Sequence, residues 1–148
     1  MYFRKSIYLS IGLTFVALLV SGCGAKGEKF QSFKNPDNGK SLIYVYRPSS
    51  FVGSGVFYDI HTSTNNNQDN VIGTLRNGGY IETEIEPGEV EVWGKTESKS
   101  SVTIDAKANN MYCVKGTVGI GLLVGRPHLS IVNNETCALE IQSTQKSY

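Results

Sequence analysis

The chain has 148 residues, with 14 Lys and Arg against 13 Asp and Glu, and three cysteines. A balance this close to neutral, with no basic run, provides no electrostatic footprint for nucleic acid. The length suits one domain with its own core, and no second domain is required.

Arg4 and Lys5 open the chain, followed by an apolar run from Ile7 to Val20 that only Ser10, Gly12 and Thr14 interrupt. This is the layout of a secretory leader. At ~1.5 Å per residue the run would span roughly 21 Å as a helix, short of the ~30 Å hydrocarbon core a permanent span must cross. It ends in Leu19-Val20-Ser21-Gly22-Cys23, which resembles the lipobox of bacterial lipoproteins. The resemblance implies a signal peptide over 1–22, cleavage after Gly22, and palmitate-type acyl chains on Cys23 as membrane anchor. Ser21 and Gly22 are narrow enough to bring the scissile bond to a membrane peptidase, and the Cys23 thiol is the nucleophile that lipidation needs. An aspartate after the cysteine commonly holds such proteins at the inner membrane. Gly24 stands there instead, which implies the outer membrane, facing the periplasm. Loss of the leader removes Arg4 and Lys5 and leaves one net negative charge, so anionic headgroups are not expected to drive binding.

Residues 23–40 read as a lipidated N-terminus and a polar, flexible tether with a Pro36-Asp37-Asn38-Gly39 turn, broken only by Phe30 and Phe33. Such a tether would reach ~20–24 Å on average and hold a globule clear of the headgroups. Leu42 to Arg47 is a strand that stops at Pro48. Val56 to Thr62 is a second, and the polar stretch Thr64 to Asn70 is a hairpin tip leading into Val71-Ile72-Gly73. From Tyr80 to Glu86, Ile81, Thr83 and Ile85 alternate with Glu82, Glu84 and Glu86. Pro87-Gly88 then fits a type II turn into Glu89-Val90-Glu91-Val92, predicting a hairpin with five glutamates on its outer face. Val102 to Ala106, Met111 to Thr117, Leu129 to Val132 and Cys137 to Ile141 complete the set, with no helix after the leader and a disordered tail over 143–148. Roughly eight or nine short strands over 41–142 predict an all-β protein, an antiparallel β-sandwich.

The stretches Leu42-Ile43-Tyr44-Val45-Tyr46-Arg47-Pro48-Ser49-Ser50-Phe51-Val52-Gly53-Ser54, Ile72-Gly73-Thr74-Leu75, Glu86-Pro87-Gly88, Tyr112-Cys113-Val114-Lys115-Gly116 and Val124-Gly125-Arg126-Pro127 together resemble the bacterial domain of unknown function number 2846. The resemblance covers nearly all of Ser41 to Ile141, and the middle also resembles PEGA-type envelope modules. It implies a compact β domain on a lipoprotein and brings no catalytic residues or cofactor with it.

Cys113 and Cys137 remain once Cys23 is assigned, and two readings stand: one disulfide in an oxidising envelope, or two separate buried thiols. His61 and His128 lack the further ligands a zinc site needs, so no metal is expected. Cys113 with either histidine would be an imaginable nucleophile, but nothing nearby lowers its pKa, and no enzyme is predicted. Gly116 to Pro127 fails the phosphate-loop pattern, since no Gly-Lys-Ser/Thr follows. The simpler reading is a buried strand with glycines at bulges. The sharper one is an exposed apolar loop carrying Ile120, Leu122 and Leu123 toward a partner or lipid. Trp93 falls in phase with Glu89 and Glu91 on the outer face, where it could serve a partner or a sugar. The sequence thus points to a non-catalytic binding or structural module of the envelope, its partners the membrane through Cys23 and an envelope protein or glycan, with a peptidoglycan-binding module as the alternative.

Overall fold

Ser41–Arg47 forms strand β1, and all seven of its residues are buried in the computed structural model, which describes residues 24–65 and 68–148. Eight further strands follow: β2 Tyr58–Thr64, β3 Asp69–Leu75, β4 Gly79–Ile85, β5 Gly88–Lys95, β6 Lys99–Ala106, β7 Met111–Gly119, β8 Arg126–Val132 and β9 Gln145–Lys146. They form two sheets, ordered β8-β7-β1-β4-β9 and β3-β2-β5-β6. The β-sandwich expected from the sequence is the fold. Most pairs are antiparallel, while β1 with β7 and β4 with β9 are parallel.

Alternation along β1 builds two cores at once. Ile43 and Val45 face the interior of the sandwich with Ile60, Leu75, Ile81, Val92 and Val114. Leu42, Tyr44 and Tyr46 face the other way, into a second cluster with Phe30, Tyr80, Cys113, Cys137 and Ile141. The first sheet is therefore covered on both sides. The second sheet keeps an open polar face.

Three expectations change because of that second cluster. The segment read as a flexible tether is packed on the sheet: Phe30 is 5% exposed and meets Phe33, Tyr44 and Tyr80 edge to face. Lys34 pairs with Glu82 and its amide donates to the Tyr44 hydroxyl at 3.0 Å. The packed domain thus takes in residues ahead of 41, from the first described residue, Gly24, onward. Cys137 to Ile141, read as a strand, lies mostly in helix α1, Asn134–Glu140, whose N-cap Asn133 accepts from the Thr136 amide at 2.8 Å. An asparagine acceptor with an acidic residue in the first turn outweighs a short apolar alternation. The tail read as disordered supplies β9, with Thr144 and Ser147 buried. A disulfide joins Cys113 in β7 to Cys137 in α1 and clamps the helix over the sheet.

The predicted glutamate-faced hairpin does not form. β4 pairs with β1 in one sheet and β5 with β2 and β6 in the other, so Pro87-Gly88 carries the chain between sheets. Local alternation is identical for a hairpin and for such a crossing, which is why the sequence did not separate them. Glu82 and Glu84 consequently sit on one sheet, Glu89 and Glu91 on the other.

Phe30→Ala should lower unfolding stability by about 3–5 kcal/mol, the usual cost of emptying a buried aromatic site. A denaturant midpoint equal to that of the unaltered protein would mean the segment is loose. Reducing the disulfide, whose cysteines are 24 residues apart in sequence, should cost about 3 kcal/mol by loop-closure entropy, measured as the difference between oxidised and reduced unfolding curves.

Candidate functional site

The strand order brings four connections to one end of the sandwich: residues 48–57, 76–78, 96–98 and 120–125. The first and last carry the largest exposed apolar side chains of the described residues. Phe51 is 95% exposed, Ile120 91%, Leu122 86% and Leu123 90%. Val52, Phe57 and Val124 are exposed beside them. Of the two readings of the glycine-rich stretch, the geometry is that of the exposed loop. β7 ends at Gly119, and β8 resumes at Arg126.

These loops are held, not slack. The Arg47 guanidinium, buried at the end of β1, donates to the carbonyls of Val56 and Gly53, each at 2.6 Å. Gly53, at φ +71, and Gly125 both pack on Val118 where a side chain would collide, so the two loops lie against each other. On the far side, the Glu97 carboxylate accepts from the amides of Leu122 at 2.7 Å and Leu123 at 3.2 Å and from Arg126 Nε at 2.9 Å. Thr96 donates to the Gly125 carbonyl at 2.8 Å. The Leu122 amide first, then Arg126 and the Leu123 amide, draw the Glu97 carboxyl down to about 2. Arg47 beneath the loops and Glu97 beside them thus hold a backbone that turns its apolar side chains to the outside.

Gly24, the first described residue, belongs to the same end. It bridges to Asn77, whose carbonyl accepts from the Ala25 amide at 3.1 Å. The Asn77 side chain in turn accepts from the Ser50 amide at 2.9 Å. Next to it the Arg76 guanidinium lies over the Phe57 ring, 4.6 Å from its centroid. Cys23 itself lies outside the described residues.

Trp93 stands apart from this cluster, on the open face of the second sheet. Its ring stacks on His61 at 3.8 Å and 13°, and Lys99 Nζ sits 4.8 Å from its centroid. Because β5 runs between β2 and β6, these neighbours come from the strands on either side. Trp93 Nε1 donates to Ser63 at 3.1 Å and to Asp69 at 3.2 Å, and Asp69 also holds His61 Nδ1 at 3.0 Å. One ring face is thus taken by His61 and the indole N–H by Ser63 and Asp69. Cys113 meets neither histidine: its sulfur is in the disulfide, His61 is on the other sheet, and His128 pairs with Thr117, four residues along β7. Among the described residues no group of three His, Cys, Asp or Glu could hold a metal.

Sequence reasoning offered the exposed apolar loop as one of two readings and missed Arg47 and Glu97. Arg47 had a signal, a charged residue in an otherwise apolar strand; Glu97, in a polar turn, had none.

No family model matches the chain. An uncharacterized protein of Haemophilus influenzae is 26% identical over 142 residues, covering 90% of this chain and 81% of that protein. An NMR structure of a protein from Eubacterium rectale has a TM-score of 0.44 at 16% identity, over 66% of this chain and 92% of that one.

Glu97 gives the loop a pH limit. Its carboxyl titrates lower in the fold than its ordinary value of 4.5. The bonds it accepts therefore stabilise fully above that value and are lost as pH falls toward about 2. Amide signals of Leu122 and Leu123 should move over that interval while those of β7 and β8 hold. Glu97→Ala should speed hydrogen exchange at the same two amides at neutral pH. Unchanged exchange would show that the loop stands without the carboxylate.

Proposed function

We propose that the chain is a lipid-anchored lipoprotein of the bacterial envelope, held through acyl chains on Cys23, whose β-sandwich binds or supports without catalysis. Its address is the outer membrane facing the periplasm. The likeness to the bacterial domain of unknown function number 2846 belongs to the same reading. The observation that carries it is the buried Cys113–Cys137 disulfide, because such bonds persist in exported proteins and are rare where cytosolic reductants act. A leader ending in Ser21-Gly22-Cys23 supplies the export route. The alternative, a glycan- or peptidoglycan-binding module, draws little support from Trp93, whose ring stacks on His61 and whose N–H is already bonded to Ser63 and Asp69.

Growth with a clickable palmitate analogue tests the anchor. The protein should take up label and fractionate with membranes, and Cys23→Ala should lose the label and leave the membrane fraction. Label retained on the Cys23→Ala protein would sink the reading.

A further inference from the structure

The loop end has an occupant that its position identifies. We propose that this end is a membrane-seating surface, with Phe51, Ile120, Leu122 and Leu123 entering the outer part of the bilayer that receives the acyl chains of Cys23. The proposal rests on the lipoprotein reading and deepens it.

Place is the first argument. The Cα of Cys23 is one peptide unit, about 3.8 Å, from that of Gly24. Gly24 and Ala25 are bonded to Asn77, Asn77 to Ser50, and Ser50 precedes Phe51. Across the first sheet, β7 and β9 are three strand spacings apart, about 14 Å. The anchor and the apolar loops therefore fall within one footprint at the same end, with no length of free chain between lipid and domain.

Chemistry is the second. Residues 120–125 are Ile-Gly-Leu-Leu-Val-Gly, without a charge or hydrogen-bonding side chain, and the carboxylate that holds them at their base is neutralised by Arg126. Protein contact sites concentrate their energy in Trp, Tyr and Arg, whereas an aliphatic tip suits hydrocarbon. Charge is the third argument. Lys26, Arg76 and Lys146 line a hollow of about 370 Å³ with Gly24, and Lys26 and Arg76 form no ion pair among the described residues. They would meet headgroup phosphates around the anchor. At the opposite end Glu84, Glu86, Glu89 and Asp105 outnumber Lys40 and Lys107, which pair with Glu86 and Asp105, and this excess faces away from an anionic surface. A near-neutral chain thus has a basic apolar end and an acidic polar end.

Tryptophan reporters decide it in the full-length lipidated protein, reconstituted in phosphatidylethanolamine and phosphatidylglycerol vesicles with or without brominated acyl chains. Leu122→Trp and Phe51→Trp place reporters on the loop end, and Ala108→Trp places one on the opposite end, with Trp93 as a common background. Two separate loop reporters keep the test sound if one variant fails to fold. The loop-end emission should shift to the blue and lose most of its intensity to the brominated lipid, while the Ala108→Trp emission does neither. Equal quenching at both ends would overturn the seating while leaving the anchor intact, provided Cys23→Ala still abolishes palmitate label. Crosslinking from position 122 to a protein or to a second copy, without lipid quenching, would likewise overturn it. Label retained by Cys23→Ala is instead the failure of the lipoprotein reading.

Discussion

Double burial of β1 is the constraint from which the rest of the structure follows. A strand at the centre of a five-stranded sheet, with Ile43 and Val45 on one side and Leu42, Tyr44 and Tyr46 on the other, demands cover on both faces. The second sheet covers the first side in the ordinary way of a sandwich. Nothing in a sandwich covers the other. The chain supplies that cover from its two extremities: Phe30 and Phe33 from before β1, and Cys137 and Ile141 from after β8. Each is short and could not hold the face alone. The disulfide fixes one to β7, and ion pairs of Lys34 and Lys146 with Glu82 fix the other segment and β9 to β4. A parallel β1–β7 pair is consistent with this, since parallel strands are found where both sheet faces are buried.

The same arrangement sets the loop end. Arg47 continues the inward parity of Ile43 and Val45, so its guanidinium comes to rest at the mouth of the inner core. Among the described residues no carboxylate pairs with it, and desolvation pulls its pKa below the ordinary value. Two loop carbonyls are its compensation. Close by, Tyr58 carries a buried hydroxyl with no hydrogen-bond partner among the described residues, and burial pushes it up to about 12. Polar groups are thus concentrated under the loops that expose Phe51 and Leu122, an inversion of the usual order of polar outside and apolar inside. Arg47 meets the cost of its burial through those backbone carbonyls, whereas the Tyr58 hydroxyl does not.

Legibility in the sequence followed the range of the interaction. Period-two alternation and turn chemistry are local, and they located most of the strands and a chain reversal at Pro87-Gly88, while leaving the stretch after Gly119 open between a buried strand and an exposed loop. Which strands pair is not local. Ile81, Thr83 and Ile85 alternate with glutamates in the same way whether the next strand lies beside them or across the core, so the hairpin was a natural misreading. The docked segment was missed for a related reason: two phenylalanines in a mostly polar stretch of seventeen residues are too sparse to announce a core, yet Phe30 packs on Tyr44 and Tyr80 and Phe33 on Tyr44. Asn133 carried a local cap signal, but seven residues of helix are too few to show a period.

Docking of residues 24–40 changes what a lipid on Cys23 would do. A flexible tether of that length would leave the domain free to tumble above the headgroups, and any face could meet them. With Gly24 bonded at Asn77, rotation is confined to the few bonds between the acyl chains and the loop end. Burying one large aliphatic side chain is worth about 1.5–3 kcal/mol, so three or four would bind a free protein to lipid only weakly once the cost of immobilising it is met. A lipid on Cys23 would remove that cost. Contact would become an intramolecular event at high effective concentration, and side chains too few to recruit the domain would suffice to orient it. Rigid loops sharpen the effect, because Arg47 and Glu97 have already ordered the backbone that presents Phe51, Leu122 and Leu123. Orientation would then be set by the fold, leaving the open polar face of the second sheet and the acidic far end turned toward whatever the domain meets.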